Sequence, residues 1–185
     1  MTQKYSLLIK AGNSIKLSTL KGIDIIWSNA FGGHIQSKHI SRAKFKKDLF
    51  FIYYLNNEIL SIGRLTPVKI YFLGRDYNIQ GIGGIVSVIK GKGYGKILMK
   101  AIHNYLIKNH KTGVGFCTAK NSPFYKKCKF KIAKGLVKRF LYKNSNGKLI
   151  SNNFDNDVLY LDGKDKFMRS VLDSKERVIL PCEHW

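Results

Sequence analysis

Residues 85–102 read IVSVIKGKGYGKILMKAI, and the character of the chain changes in the middle of this stretch. Apolar, mostly β-branched residues come first and predict a strand. Gly91, Gly93 and Gly95 follow at every second position, with lysines around them. An amphipathic pattern then continues to about residue 110. The stretch therefore predicts a strand, a glycine-rich turn and a helix in immediate succession.

A junction of this kind is a binding place for phosphate. Backbone N–H groups point outward there at the positive end of the helix dipole, and glycine avoids a Cβ that would shield them or forbid the required dihedral angles. The spacing excludes two nucleotide loops: Ile97 stands where a Walker loop needs a hydroxyl, and Lys96 stands at the last glycine of a dinucleotide fingerprint. The alternative is a glycine turn that only reverses the chain.

The chain has 185 residues, of which 44% are hydrophobic, so it can bury one core but is short for two domains. We predict a single domain over residues 1–185. No signal-peptide pattern is present, and the densest apolar run, residues 49–55, is too short to span a bilayer. We expect a cytoplasmic protein without a membrane partner. The three cysteines lack paired spacing, so we expect neither disulfides nor a metal site.

Strand patterns alternate with helical patterns along the chain. The strand patterns cover residues 4–10, 49–55, 58–65, 68–74, 77–89, 113–119 and 130–142, and DVLYLD (157–162) closes the series. Asn56 and Asn57 predict a hairpin. The order of elements predicts one layered α/β or α+β domain.

Helical patterns occur at three places. One opens at Ser18 and ends at the glycine pair 32–33, and the second follows Gly95. A short helix starts at Ser122, whose hydroxyl we expect to cap the first amides, with Pro123 at the first helical position.

Three segments together carry a resemblance to a known family. Residues 90–95, KGKGYG, fit a pyrophosphate loop [QR]-x-x-G-x-[GA] with lysine at its first position, and residues 81–87, GIGGIVS, precede it as a strand. Residues 121–130, NSPFYKKCKF, are similar to a box A-x-x-F-Y-x-x-x-G-F, with Lys129 in place of the glycine. The sequence thus resembles the GNAT acetyltransferase superfamily. The resemblance implies one GNAT-like domain with a mixed, mostly antiparallel sheet flanked by helices.

The resemblance also implies a cofactor and its site. The cofactor is acetyl-CoA, whose pyrophosphate lies on the loop amides and whose pantetheine arm pairs with strand main chain. The implied cofactor-binding residues are Val86, Ser87, Val88, Lys90, Gly91, Lys92, Gly93, Tyr94, Gly95 and Lys96. The implied catalytic acid is Tyr125, which would donate to the departing thiolate. A tyrosine pKa of about 10 lies above a thiol pKa of about 8.5, so its role is hydrogen bonding more than full proton transfer.

The general base is less directly implied. Many GNAT enzymes carry a glutamate where this chain has Gly83 and Gly84. The tail, LPCEHW, and the motif layout are similar to aminoglycoside 2'-N-acetyltransferases, and by that resemblance the carboxylate of Trp185 is the base, with Glu183 and His184 as alternatives. The acceptor is a primary amine of a small molecule or peptide, since a formal charge of +22 repels polycationic acceptors.

The same charge supports a second interpretation. A surface with 33 Lys and Arg against 11 Asp and Glu attracts nucleic acid. The aromatic residues Phe51, Tyr53, Tyr54 and Tyr71 could then stack on bases. However, no helix-turn-helix, zinc-finger or RNP signature occurs. A noncatalytic nucleic-acid-binding module is therefore the alternative, and the sequence leaves the oligomeric state open.

Overall fold

The computed structural model describes residues 4–32, 42–151 and 154–182. They belong to two compact units, the first within residues 1–66 and 84–101 and the second within residues 67–83 and 102–185. In chain order the elements are β1 (Tyr5–Ala11), α1 (Leu17–Phe31), β2 (Leu49–Leu55), β3 (Glu58–Phe72), β4 (Arg75–Ser87), α2 (Tyr94–Lys108), β5 (Gly113–Cys117), α3 (Ser122–Lys127), β6 (Lys131–Ala133), β7 (Phe140–Lys143), β8 (Leu149–Ser151), β9 (Asp157–Leu161), α4 (Phe167–Leu172) and β10 (Val178–Leu180).

The strands form two sheets. The larger has the order β1-β2-β3-β4-β5-β9-β6, and the smaller has the order β10-β7-β8. In the larger sheet β1 with β2, β2 with β3, β5 with β9, and β6 with β9 are antiparallel, whereas β4 with β5 is parallel. The predicted α/β fold with a mixed, mostly antiparallel sheet flanked by helices is confirmed. The single-domain boundary of 1–185 stays a prediction.

The core of the first unit forms where α1 packs on strands. Leu20, Ile23 and Trp27 recur at helical spacing and are all buried. They pack with apolar residues of β2 and β3, among them Phe50 and Ile62, both 0% exposed. Each such side chain contributes about 1.5–3 kcal/mol when it leaves water. The helix ends where predicted: Gly32 adopts a φ of 74°, the left-handed conformation of a helix C-cap.

The second unit has its own core. Phe167 of α4 is 0% exposed, and its ring centroid lies 5.0 Å from that of Tyr77 and 6.0 Å from that of Phe72. Phe140 of β7 is equally buried and meets Phe116 edge to face at 5.4 Å. The tilted and edge-to-face geometry of these aromatic pairs stabilises the fold beyond the contribution of burial alone. The position of α4 and the smaller sheet is thus set by aromatic packing within this unit.

Three details of the strand prediction are wrong. Residues 130–142, predicted as one strand, are divided between β6 and β7, because Gly135 takes a φ of 66° and a 3-10 turn follows it. Residues 58–72 form one strand, β3, where the sequence predicted two, because the exposed Pro67 leaves the chain extended. Residues 157–162 do not end the strand series, since β10 follows and pairs parallel with β7. The predicted hairpin is confirmed: Leu55 pairs with Glu58, and Asn56 has a φ of 55°.

Candidate active site

The first unit contains the end of β4, and a glycine there is tied to α1. Gly84 has a φ of 61°, which favours glycine. Its carbonyl accepts a hydrogen bond of 2.8 Å from Nε1 of Trp27. A Cβ added at Gly84 would lie 2.6 Å from Cζ2 of the same indole. Both the backbone conformation and the indole therefore require glycine where many GNAT enzymes carry a glutamate.

We expect Gly84→Ala to lower the free energy of unfolding by about 3 kcal/mol, because the methyl group meets Trp27 and the positive φ is strained. Urea denaturation measures this change. Gly74→Ala is the matched control: its φ is 76°, but no described atom lies within 4 Å of the added Cβ, so only about 1 kcal/mol is expected. Equal losses in the two variants would contradict a role for the Trp27 contact.

The indole of Trp27 is itself held in place. The guanidinium carbon of Arg64 lies 5.5 Å from the Trp27 ring centroid and 5.3 Å from that of Phe45. Arg64 also forms an ion pair with Asp48, which is 5% exposed. Because this network lies in the core of the first unit, it fixes the indole that contacts Gly84.

After Gly84, one edge of the main chain is hydrogen-bonded to β3. Val88 donates its N–H to the carbonyl of Leu60 at 2.9 Å, so this amide faces β3. Main-chain groups of successive strand residues point to opposite edges, and those of Ser87 therefore point away from β3. The side chain of Val86 lies in the core and that of Val88 is 49% exposed. The predicted pantetheine segment thus offers the main chain of Ser87 at its outer edge.

The glycine loop has the geometry of an anion site. Gly91 and Gly93 both have a φ of 79°, and no described atom lies within 4 Å of a Cβ added at either position. The N–H groups of Lys96 and Ile97 donate to the carbonyl of Gly93, which starts helix α2. The first amides of the helix therefore have no intrahelical acceptor. The Ser61 hydroxyl, which donates to the Tyr94 carbonyl at 3.2 Å, holds the helix start against β3.

The charge around this helix start opposes the helix dipole. Lys90, Lys92 and Lys96 are exposed, and the first turn of α2 carries no acidic residue. Cations are unfavourable at a helix N-terminus, and a bound anion relieves that cost. Residues 77–154 contain 16 Lys or Arg and no Asp or Glu at all. A side-chain carboxylate base therefore cannot come from this segment.

The second unit contains the candidate acid. Tyr125 lies on α3 and is 9% exposed, and its ring meets that of Phe124 edge to face at 5.1 Å. Burial raises the pKa of the Tyr125 hydroxyl well above the ordinary value, and the negative charges that Cys117, Asp155 and Cys128 can carry raise it further. The hydroxyl therefore stays protonated and can act as a hydrogen-bond donor.

The turn after α3 adopts a left-handed conformation although a lysine stands at the position of the glycine. Lys129 stands where the GNAT box has glycine, and its φ is 70°, in the left-handed region that glycine favours. Its N–H donates to the carbonyl of Lys126, and Phe130 donates to that of Tyr125. The chain thus makes the same kind of turn with a strained lysine.

Ser122 is not the predicted helix cap. The N-cap is Asn121, whose side chain makes no capping bond, and Pro123 is the second helical residue. The Ser122 hydroxyl donates to Oδ2 of Asp157 at 2.6 Å and lies 3.4 Å from Sγ of Cys117. The buried carboxylate competes successfully for the hydroxyl because its charge makes the stronger acceptor.

The predicted site residues fall into three groups. Val86 to Val88 and the loop from Lys90 to Lys96 lie in the first unit, and Tyr125 lies in the second. Trp185, Glu183 and His184 lie outside the described residues. Sequence reasoning missed the contact of Ser122 with Asp157, and the one available signal was an acidic residue opening the last predicted strand.

The aromatic residues that suggested base stacking differ in exposure. Phe51 is 0% exposed and belongs to the core, whereas Tyr71 is 69% exposed. Tyr53 and Tyr54 are half-buried. A base cannot stack on Phe51, so fewer aromatic rings are available to a nucleic acid than the sequence predicted. Within the described ranges no His, Cys, Asp and Glu side chains cluster in a group of three that could hold a metal.

Comparisons with known proteins agree with the fold. A family model described as an acetyltransferase (GNAT) domain matches residues 13–133. The fold is similar to that of Escherichia coli ElaA, with a TM-score of 0.58, 12% identity, and coverage of 87% of this chain and 100% of that one. An acyl-CoA N-acyltransferase from Pseudomonas aeruginosa gives a TM-score of 0.57, 12% identity, and coverage of 85% and 99%.

A probable N-acyltransferase from Enterococcus faecalis V583 has a TM-score of 0.54, 17% identity, and coverage of 70% of this chain and 33% of that one. The present chain thus spans about a third of that protein's length. No curated protein matches the sequence. At these identities the solved structures establish the fold alone, and the family rests on the domain model. Because that model matches well over half of the sequence, the chain belongs to the GNAT acetyltransferase family and is an acyltransferase.

Proposed function

We propose that the protein is an N-acetyltransferase that moves the acetyl group of acetyl-CoA to a primary amine. The observation that carries the proposal is the loop before α2. Gly91 and Gly93 each have a φ of 79° there, and no described atom lies within 4 Å of the position that a Cβ would take. A diphosphate needs such open amides at the start of a helix. The loop residues fit the cofactor that the family normally uses.

In this proposal the first unit binds the cofactor. The amides from Lys92 to Gly95 hold the pyrophosphate, and the side chains of Lys90, Lys92 and Lys96 add attraction. The outward main chain of Ser87 pairs with the pantetheine amides as an added strand would, with Val86 and Val88 on either side. The N–H of Val88 takes no part because Leu60 already accepts it.

Tyr125 supplies the hydrogen bond for the leaving group. When bound, acetyl-CoA supplies a thioester that the amine attacks, and CoA leaves as a thiolate. The raised pKa of Tyr125 keeps its hydroxyl protonated, so it donates a hydrogen bond to the sulfur and retains its proton. The proton that the amine loses goes to another group, and we propose the carboxylate of Trp185 for that role.

The acceptor in this proposal is a small-molecule or peptide amine, without the aminoglycoside specificity that the tail suggests. A formal charge of +22 repels a polycation, which argues for a neutral or anionic amine. We propose a cytoplasmic location. None of the helices in the described part of the chain is long and apolar enough to cross a membrane.

Thiol release from acetyl-CoA tests the proposal. The panel contains amino acids, polyamines, aminoglycosides and peptides with free amino termini, and each is compared with buffer alone and with heat-unfolded protein. We expect at least one amine to accelerate thiol release above the rate of hydrolysis, with a matching N-acetyl product by mass spectrometry. The same rate with every amine and with the unfolded protein would contradict the proposal.

A further inference from the structure

We propose that Asp157 and Ser122 form a clamp that positions α3 and, through it, the hydroxyl of Tyr125. Asp157 lies on β9, and Ser122 is the first residue of α3. The inference rests on the proposed function for the role of Tyr125. Ser122 and Asp157 are positioning residues, since they act through the helix and not on the substrate.

The helix needs such a support because it is short. α3 has six residues, and an isolated helix of that length is unstable in water. Its position must therefore come from tertiary contacts. The Ser122 hydroxyl donates to Asp157 Oδ2 at 2.6 Å, and both residues are less than 10% exposed. This bond joins the start of the helix to the sheet.

Asp157 is a rigid anchor for this bond. Asp157 pairs with Cys117 at one end of the antiparallel pairing between β5 and β9, and Leu161 pairs with Gly113 at the other end. Its second oxygen, Oδ1, accepts the N–H of Gly135 at 2.9 Å. The carboxylate thus joins the sheet, the helix and the turn after β6 at one buried point.

The Asp157 carboxylate is buried without a cationic partner among the described residues. In residues 4–32, 42–151 and 154–182, no Lys or Arg forms an ion pair with Asp157, although it is only 4% exposed. A buried carboxylate without a cation is costly and must be hydrogen-bonded. Two neutral donors, Ser122 and Gly135, meet that need. Loss of the Ser122 bond therefore leaves the carboxylate undersatisfied and frees the helix start.

Tyr125 lies one turn after Ser122 on the same helix. Its N–H and that of Phe124 bond to the carbonyl of Asn121, and its own carbonyl accepts the N–H of Phe130. Because α3 has less than two turns, a shift at its first residue moves the tyrosine as well. The hydroxyl must lie within hydrogen-bond reach of the sulfur to act, so a displacement of about 1 Å is enough to lower the rate.

A double-mutant cycle tests the clamp. We expect Ser122→Ala to lower kcat about tenfold while KM for acetyl-CoA is unchanged, and Ser122→Thr to restore kcat because it restores the hydroxyl. In a Tyr125→Phe background, Ser122→Ala should cause no further loss, since the group it positions is gone. Ser170→Ala is the control: the Ser170 hydroxyl accepts a hydrogen bond from the Tyr77 hydroxyl at 3.1 Å, and kcat should not change.

A second readout does not need turnover. Ring-labelled tyrosine gives one NMR signal that disappears in Tyr125→Phe and so identifies Tyr125. We expect Ser122→Ala and Asp157→Asn to shift or broaden that signal, and Ser170→Ala to leave it unchanged. An unmoved Tyr125 signal, or additive losses of kcat in the cycle, would overturn the clamp. Absence of turnover in the wild type would instead count against the proposed function, and the NMR signal would still decide the clamp.

Discussion

Replacing Lys92 and Lys96 together with glutamate weakens acetyl-CoA binding by about 10- to 100-fold, at roughly 1 kcal/mol for each charged contact with phosphate. The reason is the start of α2, where exposed lysines surround amides that have no intrahelical acceptor. Two carboxylates there would repel the diphosphate and also satisfy the helix dipole in its place. Isothermal titration calorimetry at fixed salt measures the change in Kd.

The chain offers a matched control for this variant. Lys108 ends the same helix and Lys111 follows it, and both are exposed. Their joint replacement by glutamate makes the same change in net charge and should leave Kd within about twofold, because exposed charges beyond a Debye length are screened. S-acetylpantetheine, which lacks the diphosphate, should bind equally to both variants. Equal weakening by the two variants would place the phosphates elsewhere.

Tyr125→Phe lowers kcat by about 10- to 100-fold, the range for losing one hydrogen bond to a developing charge. The Kd for acetyl-CoA should not change, because the phenylalanine ring keeps the packing on Phe124. Tyr160→Phe is the control, since it removes the hydroxyl of another buried tyrosine residue of the second unit. Steady-state kinetics measures kcat, and isothermal titration calorimetry measures the Kd. Equal kcat values for wild type and Tyr125→Phe would remove the tyrosine from the mechanism.

The pH dependence follows from the direction of the pKa shift. The pKa of Tyr125 is raised by burial above its ordinary value, so the hydroxyl remains protonated where an exposed tyrosine begins to ionise. Between pH 7 and about pH 10 the ratio of wild-type to Tyr125→Phe activity should stay constant. A ratio that falls toward one by pH 9 would show a lowered pKa and contradict the assignment.

The sequence predicted local features well. The loop at Gly91 and Gly93, the helix after it and the C-cap at Gly32 each depend on residues close together in the chain. Periodicity and glycine placement report such features directly. The first strand of the larger sheet and the hairpin at Asn56 were found for the same reason.

Contacts between distant residues were not predictable in this way. The indole of Trp27 bonds to Gly84 across 57 positions, and Ser122 bonds to Asp157 across 35. Neither pairing can be predicted from the residues that neighbour its two members in the sequence. The Ser122 hydroxyl looked like a helix cap because serine favours that position, but a buried carboxylate in the folded protein is the better acceptor. Tertiary structure thus overrode a correct local preference.

The proposed function requires that main-chain amides at the start of α2 hold the diphosphate of CoA. Amide NMR of the wild-type protein during a titration with CoA tests it most directly. We predict that the largest chemical-shift changes occur at the amides of Gly91, Lys92, Gly93, Tyr94 and Gly95. Pantetheine alone should leave the chemical shifts of these amides unchanged. Saturable CoA binding with the amides of residues 91–95 unmoved would contradict the account.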